Sequence, residues 1–168
     1  MLEFIILTAC RSGEARGMTW AEVDLKNAIW TIPSERMKAK LLHRIPLSPR
    51  ALQILESQKD QHKSLVFPSI RDQVELSDMA ITALLRRMKA PSDTPGRVAT
   101  AHGFRSSFRD WCSEKGYSRD LAERSLAHTI KDKVEAAYHR TDLLEQRREL
   151  RDAWATHILG VTKTKGLT

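Results

Sequence analysis

Cysteine is scarce in this sequence, and long apolar runs are absent. Cys10 and Cys112 are the only cysteines among 168 residues. Each lies in an apolar, helical stretch, so we expect two buried free thiols in a reducing compartment rather than a disulfide framework. No run approaches the roughly 18 apolar residues that a membrane span needs, and no secretory signal is evident. We therefore expect a cytoplasmic protein without membrane association.

Signatures of metal and nucleotide chemistry are also lacking. The sequence contains no Cys-x-x-Cys and no close histidine pair, which makes a metal site a poor expectation. It has no glycine-rich phosphate loop and no nucleophile elbow. We expect no cofactor. The six histidines are scattered along the chain: His43, His62, His102, His128, His139 and His157.

Positive charge is what the chain has in excess. It carries 28 lysines and arginines against 21 acidic residues, a net charge of +7, and its pI is near 9.7. A basic domain of this size favours nucleic acid as a partner, although ribosomal or membrane-surface proteins share the signal. The length fits one domain with a real core, which we place at residues 1–160, followed by a disordered tail at 161–168.

Periodicity predicts a mainly α domain with a small antiparallel β-sheet (α+β). Residues 27–33 and 43–48 are typical of a β-hairpin that carries a mobile basic loop. Residues 64–69 resemble a short strand. Ser48 followed by proline predicts a helix start, and residues 77–89 show helical spacing of apolar side chains.

One helix in the second half is marked by two separate faces. Its polar face holds His102, Arg105 and Arg109, which would project from one side of a rigid element. Its core stripe consists of Phe104, Phe108, Trp111 and Cys112.

Two further helices follow in the prediction. Ser118 is expected to cap the first, with His128 at its C-terminal end and Ser125 on its surface. The last helix is expected from Thr141, and it could dock on its own core or on a neighbouring protomer. Its apolar stripe is Leu143, Leu150, Trp154 and Ile158.

Six polar residues occur in a distinctive order along the chain. Taken singly, each is more often structural: an arginine is usually a solvated charge, His-x-x-Arg is a weak pattern, and a helical tyrosine is usually a packing residue. The ordered combination changes this balance. The set is Arg11, Lys38, His102, Arg105, His128 and Tyr138.

Around this set, the chain resembles the catalytic domain of tyrosine recombinases, the phage integrase family, over residues 2 to 158. The segment "HGFRSSF", then "LAH" and a tyrosine, resembles one family box. Trp30 to Lys38 and the tail "LLEQRREL" resemble integrases of satellite prophages and genomic islands. Ala127 replaces a commoner glycine, and the His128–Tyr138 gap is one residue longer than in many members. The other family box contains Arg11, Glu14, Trp20 and Asp24.

The resemblance implies a site-specific recombinase that breaks and rejoins DNA without metal. Arg11 and Arg105 would clamp the phosphate, and Glu14 would act through these arginines rather than on the phosphate itself. Tyr138 would attack the phosphate to form a 3′-phosphotyrosyl intermediate. Lys38 would protonate the leaving 5′-oxygen; it stands eight residues before Pro46, as the family's lysine does. His102 would accept the tyrosine proton, and His128 would donate a hydrogen bond to phosphate.

The family also implies a double-stranded DNA partner, a homo-tetramer on paired sites and accessory DNA-bending or directionality proteins. An N-terminal DNA-gripping domain is expected to be absent from this chain, leaving the isolated domain mostly monomeric. Two alternatives stay open: a topoisomerase-like enzyme that rejoins the same strand, and a DNA-binding module with dormant catalysis. The expected DNA-contacting cations are Arg36, Lys40, Arg44, Arg86, Arg87 and Lys89.

Overall fold

Seven α-helices and a three-stranded antiparallel sheet form the part of the chain that the computed structural model describes, residues 1–71, 73–128 and 141–160. The predicted fold class is confirmed. The strands are β1 (Val23–Asp24), β2 (Ile29–Ile32) and β3 (His43–Pro46). The helices are α1 (Leu2–Thr8), α2 (Ser12–Arg16), α3 (Pro49–Glu56), α4 (Ala80–Arg87), α5 (Ala101–Glu114), α6 (Arg119–Ser125) and α7 (Leu144–Leu159).

The sheet is the predicted hairpin with one added strand. Strands β2 and β3 pair with Trp30 opposite Ile45, and both side chains are buried. Strand β1 was not predicted, because two residues are too few to show a period of two. The predicted strand at 64–69 is wrong: Leu65 forms only an isolated bridge with Thr19. The chain turns into a 3-10 helix directly after Thr19, so the ladder does not extend.

Hydroxyl caps fix the starts of three helices. Ser48 accepts from the backbone N–H of Ala51 at the start of α3, and Ser118 caps α6 in the same way, as predicted. Thr100 caps α5. Two predicted starts are too early. Helix α4 begins at Ala80. Helix α7 begins only after Leu143, because the left-handed backbone of Leu143, with a φ of 53°, cannot form part of the helix.

Two apolar clusters share the core. In the first, Phe4 of α1 lies against Trp30 of the sheet and against Phe67, with ring centroids 5.6 and 5.3 Å apart. In the second, Phe108 of α5 meets Trp154 of α7 edge to face at 5.4 Å. The sheet and α1 therefore form one half of the core, and α5, α6 and α7 form the other.

Both cysteines are buried and free, as predicted. Burial raises the pKa of the Cys10 thiol to about 12 and that of Cys112 to about 11. Both thiols therefore stay protonated and unreactive. Among the described helices, none is both long and apolar enough to cross a bilayer.

Helix α7 packs on its own domain. Leu150 and Trp154 are buried, and the Trp154 indole donates a 2.8 Å hydrogen bond to the carbonyl of Ile6 in α1. The helix also lies against β3. Of the two dockings left open by the sequence, the one in which this helix completes its own core is the one observed.

Replacing Leu150 by alanine should lower the free energy of unfolding by about 2–5 kcal/mol, because it opens a cavity where α7 meets the core. Urea unfolding followed by circular dichroism measures this. Leu159→Ala is the matched control, since Leu159 lies on the same helix but is 44% exposed, and it should change stability by less than about 0.5 kcal/mol. Equal effects of the two substitutions would mean that α7 does not contribute to the core.

Candidate active site

Arg11 is held at the start of α2 by the carboxylate of Glu14. The Glu14 side chain accepts the backbone N–H of Arg11 at 2.7 Å and the Arg11 guanidinium at 2.8 Å. Glu14 is buried, whereas a third of the Arg11 side chain is exposed. The carboxylate therefore fixes the orientation of the guanidinium and leaves its remaining N–H groups accessible.

Arg105 joins three segments of the chain from inside the core. Its Nη1 donates to the carbonyl of Ala9 and its Nη2 to that of Leu126, at 2.5 and 2.7 Å. Only 4% of the residue is exposed. Burial lowers the pKa of Arg105, and the nearby charge of Arg11 lowers it further. The prediction that Arg105 projects from a polar face of α5 is therefore wrong, because Arg105 is buried. Arg109, predicted on the same face, is exposed.

His128 follows the end of α6 through a left-handed residue. Ala127 has a φ of 50°, a conformation that glycine adopts more readily. The backbone N–H of His128 donates to the carbonyl of Glu123, and its ring Nδ1 is hydrogen-bonded to the Glu123 side chain. On the other side of the ring, Nε2 lies 3.3 Å from Nη2 of Arg105.

The other expected catalytic residues are less closely tied to this group. His102 is exposed in the first turn of α5, one turn before Arg105. Lys38 and Lys40 are exposed in the loop between β2 and β3. Within the described residues, neither His102 nor Lys38 is hydrogen-bonded to Arg105 or His128. Tyr138 lies outside the described residues.

The expected DNA-contacting cations fall into two sets. Arg36 was expected in a mobile loop between β2 and β3. Instead, its side chain is held in place, because the guanidinium donates to the Glu22 carboxylate and to the carbonyl of Glu14. Arg44 forms a two-pronged ion pair with Asp142, at 2.7 and 2.9 Å. The four others are exposed: Lys40, Arg86, Arg87 and Lys89.

Sequence reasoning missed two buried arginines on α7, Arg147 and Arg151. Arg151 donates to the carbonyl of Ser125 at 2.7 Å and lies over the Phe108 ring. Arg147 donates to the carbonyl of Arg44. Ser125, expected on the surface, is buried as well. The sequence did contain a signal of their burial, because both arginines lie at the same helical spacing as the apolar stripe of α7.

His43, the first residue of β3, is a neutral imidazole among these cations. Burial and, after it, the charges of four arginines together lower its pKa to about 2; the arginines are Arg147, Arg151, Arg105 and Arg11. The pKa of His43 responds to arginines at α2, α5 and α7, so the guanidinium groups of these three helices lie in the same region of the domain. Fixed positive charge in a partly water-excluded site is suited to an anionic group such as a phosphate.

The described architecture is that of a tyrosine recombinase catalytic domain. It superimposes on the XerA recombinase with a TM-score of 0.62 at 19% identity, covering 91% of this chain and 55% of that one. It also matches the Tn1549 transposon integrase solved in complex with a circular intermediate DNA, with a TM-score of 0.60 at 13% identity over 83% of this chain and 57% of that one.

The chain belongs to the phage integrase family, whose model matches residues 1–144. Prophage integrase IntA of Escherichia coli K12 is 37% identical over 153 residues, which cover 89% of this chain and 36% of IntA. The integrase of enterobacteria phage P4 is 34% identical over 170 residues, covering 91% and 38%. The predicted family is confirmed, and the chain spans about two fifths of the length of these relatives.

Acid should destabilise the domain through His43. Its folded pKa of about 2 lies below the unfolded value near 6.5, so its contribution to stability is complete above about pH 6.5 and falls as the pH decreases below that value. Each pH unit between about 6 and 5 should cost close to 1.4 kcal/mol. Urea unfolding across this range should show that loss in the wild type but not in His43→Gln.

The exposed His102 provides the control for this experiment. His102→Gln should retain the acid-induced loss of stability, because the substitution changes an exposed side chain and leaves the buried His43 in place. An identical acid slope in wild type and His43→Gln would contradict the assignment of a buried neutral imidazole.

Proposed function

We propose that this chain carries the active site of a site-specific DNA recombinase, which cleaves and rejoins strands through a 3′-phosphotyrosyl intermediate. One observation carries the proposal: the buried Arg105 guanidinium is hydrogen-bonded to the carbonyl of Ala9, two residues before Arg11, and its Nη2 lies 3.3 Å from Nε2 of His128. Arg11, Arg105 and His128 are the phosphate-binding groups of the proposed site.

The two arginines would bind the non-bridging oxygens of the scissile phosphate. Arg11 is oriented by Glu14 and partly exposed, so it can approach from the solvent side. Arg105 approaches from the core, and its Nε is buried with no hydrogen-bond acceptor among the residues that the structure describes.

Tyr138 would supply the nucleophile. Its phenolic oxygen attacks phosphorus, the bond to the 5′-oxygen breaks, and the 3′-phosphate stays on the protein. His102 would take the phenolic proton, and Lys38 would give a proton to the leaving 5′-oxygen. Both side chains are exposed, so a bound DNA strand has access to them. Attack by a partner strand's 5′-hydroxyl reverses the step and restores the tyrosine.

Double-stranded DNA is the partner that this chemistry requires. The net charge of +7 supports it, as do the exposed cations of α4 and Lys40. We further infer assembly as a homo-tetramer on paired sites, with accessory bending and directionality proteins. Since α7 packs on its own domain, contacts between protomers would use other surfaces.

Tyr138→Phe should abolish covalent attachment to DNA and leave DNA affinity nearly unchanged, because only the attacking oxygen is removed. A suicide substrate nicked next to the cleavage point traps the adduct, which denaturing gels resolve. Tyr117→Phe is the matched control, since the chain has only two tyrosines and Tyr117 packs on Trp111. An adduct formed by Tyr138→Phe would exclude Tyr138 as the nucleophile.

The same substrate separates the alternatives. Binding by the wild type without any adduct would indicate a DNA-binding module. Relaxation of a supercoiled plasmid that lacks paired sites would indicate a topoisomerase.

Lys38→Ala should be rescued by a substrate whose bridging 5′-oxygen is replaced by sulfur, because a thiolate leaves without a proton. With the ordinary substrate, the loss of the acid should slow cleavage by about 100-fold or more. The cleavage rate of both substrates is measured for Lys38→Ala and for Lys40→Ala. Sulfur rescue confined to Lys40→Ala would move the assignment to Lys40.

A further inference from the structure

Arg36 joins three segments of the chain just before the loop that carries Lys38. Its Nη1 donates to the Glu22 carboxylate at 2.5 Å, and its Nη2 donates to the Glu14 carbonyl at 2.6 Å. The Glu22 side chain is only 9% exposed, and it also accepts the indole N–H of Trp30 in β2 at 2.9 Å. Arg36 therefore ties the segment that follows β2 to α2, through partners that are themselves held in the domain.

The end of α2 leaves room for this guanidinium. Gly17 directly follows α2, and a Cβ at this position would lie 3.0 Å from Nη2 of Arg36 and 3.5 Å from its Cζ. A side chain here would push the guanidinium away, because such a contact is closer than carbon and nitrogen atoms normally approach. The glycine and the arginine thus fit each other.

Lys38 follows closely after these contacts. Met37 is buried, with 2% of its surface exposed, and its carbonyl accepts the backbone N–H of Lys40 at 3.0 Å. A tight turn therefore starts at Met37, and Lys38 is its first corner. Residues 38–42 are all exposed, so this loop is held at its ends. Two residues of chain span at most about 7 Å, so the position of Lys38 depends on the hold on Arg36.

Glu14 connects this hold to the proposed phosphate site. Its carboxylate orients Arg11, whereas its main-chain carbonyl accepts Arg36. The residue that would bind the phosphate and the loop that would supply the proton are therefore both positioned by α2. A reacting group displaced by about 1 Å can lose on the order of 100-fold in rate, so this shared reference has a consequence for catalysis.

We propose that Arg36 is a positioning residue that holds the loop of Lys38 against α2, so that the Lys38 ammonium lies at the leaving 5′-oxygen of a phosphate bound by Arg11. The role of Lys38 rests on the function proposed above, whereas the hold on the loop does not. Both terminal nitrogens of Arg36 already donate to the protein, which suits this role better than contact with DNA.

Limited proteolysis tests the hold without DNA. Trypsin cuts after lysine, and the loop offers Lys38 and Lys40. In the full chain, Arg36→Gln should raise the rate of cutting at these two sites about 10-fold or more relative to cutting at Lys63, because a charge-assisted hydrogen bond no longer opposes opening of the loop. Lys63 is exposed in another loop, so the ratio removes any general loss of stability. Mass spectrometry identifies the fragments.

Arg16→Gln is the matched control. Arg16 also lies at α2, pairs with Glu75 at 3.4 Å and donates to the carbonyl of Leu76 at 2.7 Å. Its side chain is 20% exposed, against 24% for Arg36, but its partners belong to a different loop. The cutting ratio should match the wild type. An unchanged ratio in Arg36→Gln, or an equal rise in Arg16→Gln, would overturn the proposal.

Arg36→Lys is the second variant, used if Arg36→Gln does not fold because Glu22 is left unpaired. A lysine keeps a positive charge beside Glu22 but replaces the planar fork by a single nitrogen. The same cutting ratio should rise, by a smaller factor. A folded Arg36→Lys with the wild-type ratio would reject the hold on the loop.

Cleavage of two suicide substrates tests the consequence for the reaction. Arg36→Gln should slow cleavage of the ordinary substrate by about 10- to 100-fold. A bridging 5′-sulfur leaves without a proton, so on that substrate the variant should cleave at close to the wild-type rate. An equal deficit on both substrates would mean that Arg36 acts through Glu14 on Arg11, or on the fold alone, and would contradict the proposal.

The two measurements separate this inference from the proposed function. Faster cutting of the loop in Arg36→Gln, together with a wild-type protein that never cleaves DNA, would support the hold and reject the recombinase. Normal wild-type cleavage, together with an unchanged cutting ratio in Arg36→Gln, would reject the hold and retain the recombinase.

Discussion

The hydrogen bonds of the buried Arg105 guanidinium are the constraint on which the candidate site depends. They tie the carbonyl of Ala9, directly after α1, to the carbonyl of Leu126, at the end of α6. These two segments carry Arg11 and His128. Because the same side chain also offers donors to a ligand, the group that would bind phosphate is the group that assembles the site.

Burying cations is costly, and for Arg105 and Arg151 the structure offsets part of the cost with carbonyls rather than carboxylates. Arg151 is buried against the Ser125 carbonyl and the Phe108 ring, and its pKa is lowered to about 9 by burial and then by Arg147. Carbonyl partners satisfy N–H groups without cancelling the charge. The positive field therefore persists at the site, where it adds to the burial that lowers the pKa of His43 and would stabilise a developing oxyanion.

The parts that could be predicted from the sequence are those fixed by local chemistry. Ser48 and Ser118 cap helices through their own hydroxyls, and the β-hairpin follows from alternation. The roles of Arg147 and Arg151 could not be predicted, because an arginine within an apolar stripe resembles a solvated charge until its carbonyl partners are known. The inward turn of Arg36 likewise depends on Glu22, distant in sequence.

Strain at Ala127 links the catalytic candidates to one another. Its φ of 50° costs a non-glycine residue on the order of 1 kcal/mol, and the hydrogen bonds on either side compensate, from Arg105 to Leu126 and from His128 to Glu123. Removing Arg105 would therefore also release the turn that places His128. Losses in activity at these positions should then be far from additive, because the residues act as one unit.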